Sequence, residues 1–220
     1  MADHLTITAR NEEPMNAATH GLGLACAVAA GVILICTAAK HGSIPQIVGT
    51  SIYATTLIAA YAASTLSHVF QQPSLRHAFR IADQGIIFLF IAGSFTPIAF
   101  SYLLHGAWWV LTGLVWIVAL VGFVQKVALA HRVKLGAVSI TLYILLGWLP
   151  VLAAPGMIGT VPMPLLLWIL AGGLCYSGGI LFFHFDNRIP YFHAAWHMMV
   201  IAGTTCHYIG ILLYCTGVKP

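Results

Sequence analysis

Apolar residues run along this chain in long unbroken blocks, and a few charged positions punctuate them. No charged residue falls at positions 14–39, 41–75, 84–125, 135–185 or 189–218, stretches of 26, 35, 42, 51 and 30 residues. A helix that crosses a bilayer needs about 20 predominantly apolar residues. The first, second and last stretches therefore suit one span each. The third and fourth suit two each, with turns near His105-Gly106 and between Pro155 and Pro164. The pattern predicts an all-α membrane protein with seven transmembrane helices, at roughly 16–39, 44–70, 82–104, 107–126, 135–154, 163–184 and 191–216. Strands of a membrane barrel would alternate apolar and polar residues over about 10 positions, and these blocks do not. Within lipid a helix satisfies its own backbone hydrogen bonds, which leaves continuous apolar runs few other options.

No linker, low-complexity tract or strong internal repeat interrupts the blocks, so residues 1–220 read as a single seven-helix domain. Residues 1–15 are polar and read as a cytoplasmic N-terminal segment. The opening Met1-Ala2-Asp3-His4 lacks the basic lead of a signal peptide, so the first span is expected to be a lasting one.

Composition sharpens this picture. Hydrophobic residues make up 60% of the chain and charged residues 6%, against about 25% charged in soluble domains. Such a chain could not cover a water-exposed surface, which excludes a soluble enzyme, a disordered chain and a nucleic-acid-binding domain. The net charge of +4 comes from bases scattered along the chain, not from a cluster that would grip a phosphate backbone. The scatter instead carries orientation. With the N-terminus inside, Arg10, Arg76, Arg80, Lys126, Arg132, Lys134 and Arg188 fall on the cytoplasmic side, and only Lys40 and Lys219 on the other. The positive-inside rule then gives an N-in, C-out protein of the cell membrane, with membrane lipids as its surroundings and partners.

Ionisable side chains within spans are costly, and so mark candidate sites. Histidine is common here, with 11 copies. His68 lies near the end of the second span, with Ser64 one turn earlier on the same face. Asp83 opens the third span. His193 and His197 stand one turn apart at the start of the seventh, so both imidazoles leave one helix face. The charge-derived topology puts all five at the same depth near the cytoplasm. Three neutral imidazoles suit zinc, and three protein ligands plus water is the pattern of a catalytic site. His68, His193 and His197 are therefore the candidate ligands. Asp83 is a candidate base, water-orienting group or fourth ligand. Ser64 is a candidate for orienting His68, the water or a substrate carbonyl.

The remaining polar positions read more plainly. His20 opens the first span beside this depth, in contact with the site or in packing. His184 ends the sixth span and is at most an outer group. His207 follows His193 by 14 residues, about 21 Å deeper, too far to share its metal. That spacing also occurs in haem-binding membrane helices, but no other span offers a matching pair. The seventh span carries no lysine for a retinal Schiff base. Cys26, Cys36, Cys175, Cys206 and Cys215 all fall in spans, without a Cys-x-x-Cys pair, and read as small buried hydrophobes. Gly172-Gly173 and Gly178-Gly179 suit close helix approach, and Pro97 and Pro150 suit kinks.

Several stretches together resemble a known family. They are Glu13-Pro14-Met15-Asn16-Ala17-Ala18-Thr19-His20-Gly21, Ser64-Thr65-Leu66-Ser67-His68, Asp83 through Ala92-Gly93-Ser94-Phe95-Thr96-Pro97, His193-Ala194-Ala195-Trp196-His197 with Cys206-His207, and Ala130-His131-Arg132. On these the chain resembles a bacterial hemolysin III-type member of the progestin and adipoQ receptor family. The resemblance implies seven helices, an N-in topology, and a zinc ion held by His68, His193 and His197 near the cytoplasmic face, with Asp83 near the zinc-bound water and Ser64 beside it. It also implies competing functions. One is a zinc-dependent intramembrane hydrolase of lipid amides or esters, as in the ceramidase-like activity associated with eukaryotic relatives. Another is a regulator of membrane fluidity or energetics with structural zinc. The third is a cytolysin, as the family name suggests.

Overall fold

The computed structural model describes the backbone of residues 2–106, 108–128 and 136–218. Ala130-His131-Arg132, Lys134 and Lys219 lie outside the described residues, as do the side chains of His4 and Arg10. Among the described residues the fold is all-helical. In chain order the elements are α1 (Ala2–His41), α2 (Ile44–Val69), α3 (Pro73–Tyr102), α4 (Trp108–Ala128), α5 (Gly136–Trp148), a 3₁₀ turn (Leu149–Ala153), α6 (Ala154–Met157), α7 (Met163–Phe185) and α8 (Phe192–Tyr214). Six of these helices are long and apolar enough to cross a membrane. The fifth expected span instead forms the short α5. At Leu149-Pro150 the helix tightens into 3₁₀ geometry, because a proline ring cannot continue an α-helix without losing a hydrogen bond.

The helix ends follow local chemistry. The Gln46 side chain accepts hydrogen bonds from the Ser43 N–H (2.8 Å) and hydroxyl (3.1 Å), and Pro45 stands in the first turn of α2. Pro73 opens α3 after an extended Phe70. The turn between α3 and α4 falls at His105-Gly106, where Gly106 takes φ of 57°, a left-handed conformation suited to glycine. Two starts differ from the sequence expectation. Helix α1 runs back through the polar segment to Ala2, and α3 begins at Pro73, not near 82. In both, the extra turns carry charged residues that find partners in the site described below.

Sequence neighbours α1–α2, α2–α3, α3–α4 and α7–α8 pack against each other, and α1 closes against α8. Around Tyr53, Leu57, Phe88, Phe95 and Val115 the side chains are almost fully buried. Small residues permit the closest approaches, as expected where lipid removes any hydrophobic drive between helices. A Cβ on Gly172 would lie 2.2 Å from the His207 ring, and one on Gly179 would lie 2.7 Å from Trp196. The outer faces of α4 and α7 stay apolar, with Ile117, Val124, Leu174 and Leu181 exposed. Cys26 and Cys36 are exposed as well, so of the five free cysteines only Cys215 is fully buried. Helix α5 touches α3, α4 and α7 sparsely, and the space it leaves open becomes the main cavity.

Candidate metal centre

His68 lies one residue before the C-terminus of α2, and His193 and His197 lie in the first two turns of α8. Each offers a ring nitrogen, and these three atoms all lie within 4.8 Å of one another. Ring centroids are 4.6 Å apart for His193 and His197, 5.1 Å for His68 and His193, and 5.2 Å for His68 and His197. His68 and His197 are buried and His193 is half-buried. This buried group of three histidines could hold a metal ion.

The surroundings decide which nitrogen of each ring is available. His68 donates Nδ1–H to Glu13 Oε2 at 2.6 Å. His193 donates Nδ1–H to Asp186 Oδ2 at 2.9 Å. The Thr19 hydroxyl gives its single proton to the Asn16 carbonyl at 3.0 Å, so toward His197 Nδ1, 2.9 Å away, it accepts. All three rings thus carry their proton on Nδ1 and leave Nε2 as the bare donor. An outer hydrogen bond from each ligating imidazole is the usual arrangement of a metal-binding histidine. The donor set therefore fits a divalent ion that accepts neutral imidazole, zinc among them.

Glu13 is itself held in place. Its other oxygen, Oε1, lies 3.4 Å from Arg76 Nη1 and 3.4 Å from Arg80 Nη2. The added turns of α3 deliver the two arginines, and the turn of α1 just before the expected start at 16 delivers Glu13. Glu13, Thr19 and Asp186 were not singled out as site residues from the sequence. Asp186 had a usable signal, as an acid seven residues before His193 at the entrance to α8. Glu13 had a weaker one, as the first residue of a stretch that carried the family resemblance.

The other two candidates, Ser64 and Asp83, have partners of their own beside the histidines. The Ser64 hydroxyl is 2.7 Å from Nδ1 of His20, not bonded to His68, whose orientation is set by Glu13. The His20 ring stacks on His197 at 3.5 Å with a 19° tilt, and its buried Nε2 has no hydrogen-bond partner among the described residues. Asp83 stands outside the three-histidine group, near Ser64, His193 and Arg80. His184 is exposed and packs on Phe185. His207 is half-buried away from the centre, where it lines the same cavity, and donates Nε2–H to the Ile169 carbonyl at 3.1 Å.

The centre opens into a cavity of about 920 Å³. Its polar end holds the three histidines with Ser64, Asp83 and Asp186, and its far end is walled by residues such as Ile98, Val115, Leu146 and Leu166. From Phe183 to Leu166 along α7 the lining extends about 25 Å at 1.5 Å per residue. That volume falls in the range of small-molecule sites, and the mainly apolar wall with a few convergent polar groups is their usual character.

Apolar helices around a buried, outer-bonded histidine cluster define a multi-pass membrane protein with a potential metal centre. The haemolysin-III related family model matches residues 8–208, and the chain belongs to that family, within the hemolysin III-type progestin and adipoQ receptors. The chain is 33% identical to "Hemolysin-3" of Bacillus cereus over 204 residues, 92% of this chain and 91% of the relative. It is 32% identical to "Hemolysin-3 homolog" of Bacillus subtilis (strain 168) over 207 residues, 94% and 96% of the two chains. It is also 32% identical to the human "Monocyte to macrophage differentiation factor" over 173 residues, 74% of this chain and 68% of that one. No solved structure matches the chain.

Proposed function

We propose that the centre binds zinc and that the protein is an intramembrane hydrolase of a lipid amide or ester. One observation carries this reading: three imidazoles and a separate carboxylate, Asp83, face one cavity long enough for an acyl chain. Zinc bound there supplies a Lewis acid and a water that ionises near neutral pH. The apolar wall binds the acyl chain and directs its carbonyl toward the histidines. The Asp83 carboxylate accepts the proton of the attacking water and returns it to the leaving group. Ser64 receives the Nδ1–H of His20, which leaves its own hydroxyl proton to fix Asp83. In the same reading α5 and its 3₁₀ turn make the seventh crossing, and the histidine end faces the cytoplasm with the N-terminus.

A structural role for the metal, in a regulator of membrane properties, is the alternative. It draws support from the way the outer partners tie α1, α2 and α8 together. Asp83→Asn separates the two. The hydrolase keeps its zinc and loses about 10²–10⁴-fold in rate, the usual scale of general acid–base help. Zinc content, melting temperature and fatty-acid release from ceramide-like and phospholipid substrates provide the readout. Loss of zinc and thermal stability together, with no hydrolysis by the parent protein, would remove the enzyme reading.

A further inference from the structure

Lys126 is out of place for a lysine at a helix end. Such side chains ordinarily extend along the helix to reach water and headgroups. In the last turn of α4 the flanking Gln125 and Val127 are exposed, yet Lys126 is only 9% exposed and lines the cavity. It stands at the histidine end of the bundle: Gly85 of α3, two residues from Asp83, packs on Phe123 and Val127. Among the described residues it makes no ion pair or hydrogen bond.

The chain has few acids that could pair with it. The only five are Asp3, Glu12, Glu13, Asp83 and Asp186. Glu13 is engaged by His68, Arg76 and Arg80, and Asp186 by His193 and Asn187. Asp83 sits with Ser64, His193 and Arg80. Glu12 forms no ion pair with Lys126, and Asp3 belongs to the first turn of α1. The sequence between α4 and α5 adds only bases, His131, Arg132 and Lys134. The Lys126 side chain thus lines the cavity with no counter-charge of its own, and a ligand entering the cavity is the natural source of one.

We propose that Lys126 binds the phosphate of a lipid whose acyl chain fills the cavity, and so selects phosphate-bearing lipids over neutral ones. Phosphate suits the place better than a carboxylate does. A fatty-acid carboxylate would be drawn to a metal ion held by the three histidines instead. A second anion at α4 must belong to another part of the molecule, and Arg80 and Arg188 also line the cavity. The inference rests on reading the cavity as an acyl-lipid site, but its test needs no turnover.

The test is equilibrium binding of radiolabelled oleoyl-lysophosphatidate and oleoylglycerol to the purified, metal-loaded full chain in neutral detergent. The same acyl chain appears in both probes, so only the phosphate differs. The parent protein should prefer lysophosphatidate by about 10–100-fold, the scale of a charge-assisted hydrogen bond. Lys126→Met should abolish the preference while binding oleoylglycerol as before, and Lys126→Arg should keep most of it. Unchanged metal content shows that the variants are folded. Equal binding of both probes by the parent protein overturns the proposal without recourse to any variant. A preference that survives Lys126→Met overturns it as well. Inorganic phosphate that displaces lysophosphatidate at equal concentration would rule out a lipid headgroup as the source. A Lys126-dependent preference in a protein that hydrolyses no lipid supports the phosphate site and removes the hydrolase reading.

Discussion

His197 and His207 stand on the same helix, about 15 Å apart along its axis, and their surroundings give them opposite characters. His197 has Thr19 on Nδ1, two further imidazoles beside it, and His20 stacked on its face. Its remaining nitrogen joins a cluster. His207 has a backbone carbonyl on Nε2, Gly172 under its ring and Tyr176 against it edge-on, while its buried Nδ1 has no partner among the described residues. Residue type and helix are shared. What makes one a candidate ligand and the other a packing group is which nitrogen a neighbour has already used, and whether other donors converge on what remains.

The largest expected effect breaks that contrast directly. His197→Ala should reduce metal from about one ion per chain to below about one-tenth, since two imidazoles cannot hold a tetrahedral site. His207→Ala should keep its metal and lose about 1–3 kcal/mol of stability from the cavity and the abandoned Ile169 carbonyl. Elemental analysis and thermal unfolding measure both, and equal metal loss in the two variants would erase the distinction. Glu13→Gln comes next. It keeps the shape but weakens the acceptor for His68 Nδ1–H, and metal affinity should fall about 10–100-fold in a chelator competition. An unchanged affinity would show that the Glu13–His68 bond does not tune the site. The smallest effect sharpens the other half of the comparison. Gly172→Ala pushes a methyl group into the His207 ring and should cost about 1–3 kcal/mol of stability with metal content intact. Metal loss in that variant would couple the two regions.

Much of the site was legible because membrane sequences encode depth. The spacing of the bases gives each polar residue an expected level, and of those expected at one level the structure brings His68, His193 and His197 together. The i, i+4 spacing of His193 and His197 fixes a common face without any tertiary information. The outer partners were not legible in the same way. Glu13 and Thr19 reach His68 and His197 from α1 across 55 and 178 residues of sequence, and no local pattern specifies such a pairing. The polar stretch before Glu13 looked like a tail because charge there implied solvent. It is helical instead, and Glu13 is buried within an ion cluster that absorbs its charge. The fifth expected span was the right length, but Pro150 divides it into unlike helical pieces. Ser64 was expected to orient His68, the water or a substrate, and its partner is His20, a residue on another helix whose stacking on His197 no spacing rule could supply.

The contact of Thr19 with His197 has a consequence for how the protein is made. Thr19 lies on α1 and His197 on α8, so among the described helices one leaves the ribosome before all the others and one after them. Every intervening helix must be synthesised before the two meet. Glu13 meets His68, Arg76 and Arg80 as soon as α2 and α3 follow, and His20 meets Ser64, but Thr19 and the face of the His20 ring wait for His197 until α8 is made. The histidine cluster comes into being only once α8 has been made, so its assembly reports that α8 has closed against α1 and α2. A nascent chain halted before α8 would present the unpartnered face of α1 to the membrane's quality-control proteases, and one that had added α8 would not.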